Sequence, residues 1–145
     1  MNSRNHIVLA IILLPLFSFA CKSSTEPTMS TMLAHQVGGC NSVLAKGTSG
    51  DSCFSYQFKE VFVADFCVLG NCCPDSNRFS FRHSVSQDTI IVTVSDTAAQ
   101  SCRCMCSYLV HIELYDLTRN EYLLLCVRED YSNQYIIYST RILRG

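Results

Sequence analysis

Alternation of apolar and polar residues with a period of two runs through most of the chain, and it predicts strands rather than helices. Phe54, Tyr56 and Phe58 alternate with Ser55, Gln57 and Lys59, and the pattern continues less cleanly through Val61 to Cys67. Glu60 falls at an apolar phase, which predicts a bulge or a break beside it. Phe79, Phe81, His83 and Val85 alternate with Ser80, Arg82, Ser84 and Ser86. Gln87-Asp88 then reads as the tip of a hairpin into Thr89-Ile90-Ile91-Val92-Thr93-Val94-Ser95, whose β-branched density favours a strand. Further on, Cys102, Cys104, Cys106, Tyr108, Val110, Ile112 and Leu114 form the drier face of a long strand over about residues 101–115. Arg103, Met105, Ser107, Leu109, His111, Glu113 and Tyr115 form its wetter face. On this reading the three sulfurs at 102, 104 and 106 project together into the interior. Residues 121–128 include the continuous apolar run Tyr122-Leu123-Leu124-Leu125-Cys126-Val127, expected of a central strand covered on both sides. A last strand occupies residues 134–143.

Polar and glycine-rich turns separate these segments, the densest being Gly70-Asn71-Cys72-Cys73-Pro74-Asp75-Ser76-Asn77. Others are Gly47-Thr48-Ser49-Gly50-Asp51, residues 96–100, 117–120 and 129–133. No helical stripe and no repeat of fixed period is evident. Six or seven strands at spacings of roughly ten residues predict an all-β fold, an antiparallel β-sandwich of immunoglobulin-like size, with a small β-barrel as the alternative.

The N-terminal residues change the picture, because part of the chain's apolar content falls there in a pattern that sets it apart from the domain. After Arg4 come Ile7 to Leu14, Pro15, Leu16 and Phe17, then Ser18-Phe19-Ala20 against Cys21. This is the arrangement of a secretory signal over residues 1–20. A membrane span needs about 20 apolar residues, and this run is shorter and interrupted by Pro15. Small residues followed at once by a cysteine resemble the lipobox of bacterial lipoproteins, with Ser18 where that box usually carries Leu. The resemblance implies that Cys21 is the first residue of the mature protein and carries the lipid, and that the chain is held on a membrane. Residues 21–39, small, polar and aperiodic, are expected to be the lipidated N-terminus and a flexible tether, with His35 solvated within it. The sandwich domain then covers residues 40–145, opening with a short segment at 42–46.

Loss of residues 1–20 removes Arg4 and moves the net charge from −1 to −2. A chain so close to neutral, with no basic stripe, offers no electrostatic footprint for nucleic acid. The sequence also lacks the N-x-Ser/Thr sequon of secreted glycoproteins.

Ten cysteines in 145 residues are the main chemical signal. In an exported protein their default state is disulfide-bonded. Neighbours on one strand face lie about 6.8 Å apart with parallel Cβ vectors, so Cys102, Cys104 and Cys106 should not pair with one another. Cys72 and Cys73 are adjacent, at about 3.8 Å between Cα atoms, and should also find partners elsewhere. The expectation is therefore a set of staples between Cys67, Cys72 and Cys73 on one side and Cys102, Cys104 and Cys106 on the other. Cys40 with Cys53 is a candidate local bridge, and Cys126 is left unpaired in the core. The same six converging thiols could instead ligate Zn²⁺ or Cu(I), since thiolates are soft ligands. A working redox thiol is a third reading, although no C-x-x-C is present.

Catalytic signatures are missing. There is no H-E-x-x-H, no G-x-S-x-G and no phosphate-cradling glycine loop, so no catalytic residue is assigned and no enzyme activity is expected. His83 is read as a packing histidine, His111 as exposed beside Glu113, Arg78 as a donor to loop carbonyls, and Asp75 and Asn77 as turn formers.

Asn71-Cys72-Cys73-Pro74-Asp75-Ser76 together with Cys102-x-Cys104-x-Cys106 resembles small cysteine-rich bacterial lipoproteins of unassigned function, over about residues 60–140. The resemblance implies an all-β lipoprotein and transfers no functional residue. The expected protein is a lipid-anchored module of the bacterial envelope, with a binding or scaffold role towards an unidentified protein or small molecule, structural disulfides and no cofactor. The alternative is a thiolate lipoprotein that binds Zn or Cu(I).

Overall fold

In the computed structural model, residues 29–41, 53–73, 77–98, 102–130 and 133–145 are described. Among them are eight strands and no helix: β1 (Thr31–Asn41), β2 (Phe54–Phe58), β3 (Phe62–Asn71), β4 (Phe79–Ser86), β5 (Thr89–Asp96), β6 (Met105–Tyr115), β7 (Glu121–Asp130) and β8 (Asn133–Leu143). They form two four-stranded sheets, ordered β1-β6-β3-β2 and β4-β5-β7-β8. The arrangement is a β-sandwich, as the alternation predicts.

The core follows from that alternation. Phe62, Ala64, Phe66 and Val68 of β3 and Tyr108, Val110, Ile112 and Leu114 of β6 are buried, and the same face of the opposite sheet contributes Ile90, Val92, Val94, Leu124, Cys126 and Ile142. Each fully buried side chain of this size contributes roughly 1.5–3 kcal/mol. β7 lies between β5 and β8, and its outer positions Leu123, Leu125 and Val127 are only half-buried. The continuous apolar run thus marks a central strand, covered fully on one side only.

Several expectations are corrected. Residues 31–39, read as tether, are part of β1, an edge strand hydrogen-bonded to β6 from Thr31↔Tyr115 to Val37↔Leu109. Composition hid it, because Met32 and Ala34 are the apolar residues it lays against the core, and backbone pairing with β6 and the Cys40–Cys106 bridge hold it as well. The disturbance at Glu60 is a full reversal. Lys59 N–H donates to Val61 O at 3.2 Å, and Phe58 pairs with Phe62, so one predicted strand is the β2–β3 hairpin. These two changes raise the strand number from the expected six or seven. The second sheet is mixed, since β5 and β7 run parallel from Thr89↔Leu123 to Ser95↔Glu129. The chain leaves β5 for the opposite sheet, forms β6 there, and returns in the original direction.

The cysteine triplet is corrected too. β6 begins at Met105, after Cys102 and Cys104, so only Cys106 projects from the strand into the core, where it is 2% exposed. Cys104 is exposed and Cys102 half-buried. The ladder between β3 and β6 ends at Asn71↔Met105, and beyond it the Asn71 side chain takes over the backbone groups of Cys102.

Arginines hold both ends of the sandwich. At one end the Arg144 guanidinium lies 4.3 Å from the Phe58 ring centroid and donates to Leu117 O at 2.7 Å, while Gly145 N–H donates to Phe58 O. At the other end Arg78 is buried. The signal segment, Cys21, residues 42–51, Pro74 and Asp75 lie outside the described residues.

Candidate functional site

Asn71 organises the cysteine corner. Its Oδ1 accepts from Cys102 N–H at 2.7 Å and from Cys73 N–H at 3.1 Å, its Nδ2 donates to Cys102 O, and its own carbonyl accepts from Tyr108 Oη at 2.7 Å. Cys72 N–H donates to Cys104 O at 3.3 Å. The turn of residues 71–73 is thereby fastened to the segment that leads into β6.

Disulfides complete the fastening. Cys72 is joined to Cys104 and Cys73 to Cys102, with Cα separations of 5.6 and 5.7 Å, so both bridges run from the turn to the triplet. The remaining two differ from expectation. Cys67 is joined to Cys53 and Cys106 to Cys40, so Cys40 and Cys53 do not close a local loop. The reason lies in the sheet order. β2 and β1 flank the β3–β6 pair on opposite sides, which carries Cys53 to Cys67 and Cys40 to Cys106. Among the described residues Cys126 is the free cysteine, buried in the core, and burial pushes its thiol up to about 12.

Beneath the corner sits Arg78, 2% exposed. Its guanidinium pairs with Asp96, donates to Tyr108 Oη at 3.3 Å, and lies 5.4 and 5.1 Å from the ring centroids of Phe79 and Tyr108. Among the described residues it is the cation of a buried polar plug. Its backbone does serve the loop, with Arg78 O accepting from Thr97 N–H and Thr97 Oγ1 at 2.8 Å. Gly70 makes room for the plug, because a Cβ there would stand 3.1 Å from Phe79 Cζ and from Tyr108 Cε2.

A second cluster, on the outer face of the first sheet, was not assembled by sequence reasoning. Register puts His35 of β1, His111 of β6 and Asp65 of β3 side by side across three strands. His111 Nδ1 is 2.8 Å from Asp65 Oδ1, and His111 Nε2 is 3.4 Å from Glu113 Oε1. Tyr115 Oη donates to Glu113 Oε2. The rings of His35 and His111 lie with centroids 5.2 Å apart. The bond to Asp65, with help from Glu113, raises the His111 pKa, and hydrogen bonds from Tyr115 and then His111 lower that of Glu113. His111 is thus half-buried between two carboxylates, not simply exposed beside one. The outward alternation His111, Glu113, Tyr115 was visible in sequence. The pairing that delivers Asp65 and His35 was not.

No protein family, no curated protein and no solved structure matches this chain. What can be said of its chemistry rests on the two clusters.

His83 packs as expected, its Nε2 2.9 Å from Ser30 Oγ, and Asn77 holds the left-handed turn conformation at φ 52°. The sulfurs of Cys72, Cys102 and Cys104 lie within 4.8 Å of one another, close enough for a soft metal only if their bridges were opened.

Proposed function

We propose that this chain is an exported bacterial lipoprotein whose sandwich acts as a binding or scaffold module outside the cytoplasm, with Cys21 as its lipid-bearing first residue. The observation that carries the reading is the engagement of eight of the ten cysteines in four bridges with Cα separations of 5.4 to 5.7 Å. Such a framework forms and persists in an oxidising compartment. The lipobox-like end of the signal supplies the anchor, and diacylation gives the stable membrane binding that one chain does not.

A non-catalytic role fits the state of the thiols. A redox centre needs an accessible thiolate, and the Cys126 thiol is buried and held protonated at any physiological pH. The thiolate-metal alternative draws on the proximity of Cys72, Cys102 and Cys104, and it requires the loss of two bridges.

Metabolic labelling with a clickable fatty acid in a bacterial host tests the anchor. The full-length chain should take up label and fractionate with membranes, and Cys21→Ala should lose both. An unlabelled, fully soluble wild-type product would refute it. Intact mass with and without reduction tests the thiols, with a gain of about two mass units expected for each of the four bridges.

A further inference from the structure

A hollow of about 290 Å³ opens on the second sheet, lined by Asp88, Arg119, Asn120, Glu121, Leu123 and Arg141. Leu123, half-buried, stands between Thr89 of β5 and Arg141 of β8. Two turns rise around it, the β4–β5 tip with Asp88 and the β6–β7 turn with Arg119 and Asn120. Both turns are fastened to the sheet. The hydroxyl of Tyr122, a residue 1% exposed, accepts from Thr118 N–H at 3.1 Å and from Arg119 N–H at 3.0 Å. Arg144 N–H donates to Asn120 O at 2.8 Å, and Leu123 N–H donates to Asp88 O at 2.7 Å. The backbone of the hollow is thus set before any ligand arrives, which lowers the ordering cost of binding.

The charges around it say what fits. Two arginines and two carboxylates line the hollow, and Arg141 with Glu121 already forms an ion pair. Arg119 and Asp88 have no ion-pair partner among the described residues, and the Asp88 carboxylate accepts only from Thr89 Oγ1, at 3.2 Å. One cation and one anion, both exposed, are therefore left over on the same hollow. A simple anion would meet Asp88 there, and a simple cation would meet Arg119. The lining also offers no exposed aromatic face on which a base would stack, since its one ring belongs to buried Tyr122. A ligand that carries both charges satisfies both groups.

We propose that this hollow binds a small zwitterion of the α-amino acid or short-peptide class, with its carboxylate on Arg119 and its ammonium group on Asp88. The guanidinium fork matches a carboxylate with two parallel hydrogen bonds, and the Asp88 oxygens accept from the ammonium. Leu123 offers apolar surface to a ligand side chain, and Asn120 both a donor and an acceptor. The volume falls at the lower limit of ligand pockets, which span about 300–1,000 Å³, and so selects a ligand smaller than a drug-sized molecule. The assignment gives the binding reading a ligand class and rests on that reading. It needs neither the lipid anchor nor the cysteine corner.

The test is calorimetric titration of the disulfide-intact protein with L-alanyl-L-alanine and with L-alanine, which separates a peptide from a free amino acid as the source of the two charges. At least one of them should bind saturably, one per chain. Blocking either end of the tighter ligand, by N-acetylation or by C-terminal amidation, should weaken binding at least about tenfold. In Arg119→Gln the amide should bind no worse than the parent ligand, and in Asp88→Asn the N-acetyl form should bind no worse. Both substitutions are at exposed positions, and circular dichroism checks that each variant is folded. Absence of saturable binding by either ligand, tolerance of both blocking groups, or blocking penalties unchanged in the two variants would each overturn the proposal. None of these results bears on Cys21, and loss of the lipid label would leave the titration as it stands.

Discussion

Cys40 and Cys106 lie with their Cα atoms 5.4 Å apart although 66 residues separate them in sequence. The junction depends on a bulge, in which β1 advances from Val37 to Asn41 while β6 advances only from Leu109 to Ser107, and Gly38 supplies the positive φ of 68°. Among the four bridges this one closes the longest loop, and Cys53–Cys67, with a separation of 14, the shortest.

Loop length therefore ranks the bridges. On the chain-entropy account, replacing Cys40 and Cys106 by serine should cost about 4 kcal/mol, and replacing Cys53 and Cys67 about 3 kcal/mol. Urea unfolding of the two double variants measures the difference. A larger loss from the shorter loop would show that native packing, and not constraint of the unfolded chain, governs their contribution.

Gly70 is held small by its neighbours. Gly70→Ala places a methyl 3.1 Å from the rings of Phe79 and Tyr108 and 3.2 Å from Arg78 Nε, and all three belong to the buried plug. The expected loss is about 1–3 kcal/mol, the usual cost of overpacking. Unfolding by urea with the slope unchanged checks it, and a neutral or stabilised variant would mean that the plug yields.

Stability should carry the titration of His111. Its pKa is raised above the ordinary 6.5 by Asp65 and Glu113, so its contribution is fully present below about 6.5 and is lost as pH rises through the folded-state value. Glu113, lowered from 4.5, works the other way: its contribution is present above about 4.5 and falls away in acid. The groups facing His111 are Asp65 from β3, His35 from β1 and Glu113 from its own strand. The deficit of His111→Gln against wild type should be greatest between about pH 5 and 6.5 and shrink towards pH 9. A deficit independent of pH would contradict this.

Cys126 gives a simple count. With its thiol buried and pushed up to about 12, the folded protein should show no reaction at this position with a thiol reagent at pH 8. Denaturation without reduction should expose it. Rapid modification of Cys126 in the native state would mean that the core opens there.

Much of the sandwich was legible because burial on one face imposes period two, and the runs around Phe81, Ile91 and Ile112 carry it plainly. β1 was not, since an edge strand needs little apolar surface and His35, Gln36 and Gly38 read as linker. The cysteine sets were half-legible. Spacing excludes bonds among Cys102, Cys104 and Cys106 and between Cys72 and Cys73, but the choice of Cys40 for Cys106 and Cys53 for Cys67 depends on which strands become neighbours. The same lateral order brings Asp65 and His35 to His111, and no local pattern encodes it.

Disulfide mapping bears most directly on the whole account. Proteolysis of the unreduced, alkylated protein followed by tandem mass spectrometry should return Cys40 linked to Cys106, Cys53 to Cys67, Cys72 to Cys104 and Cys73 to Cys102, with Cys126 as a thiol. A peptide joining Cys40 to Cys53, or alkylated thiols at Cys72, Cys102 and Cys104, would contradict it.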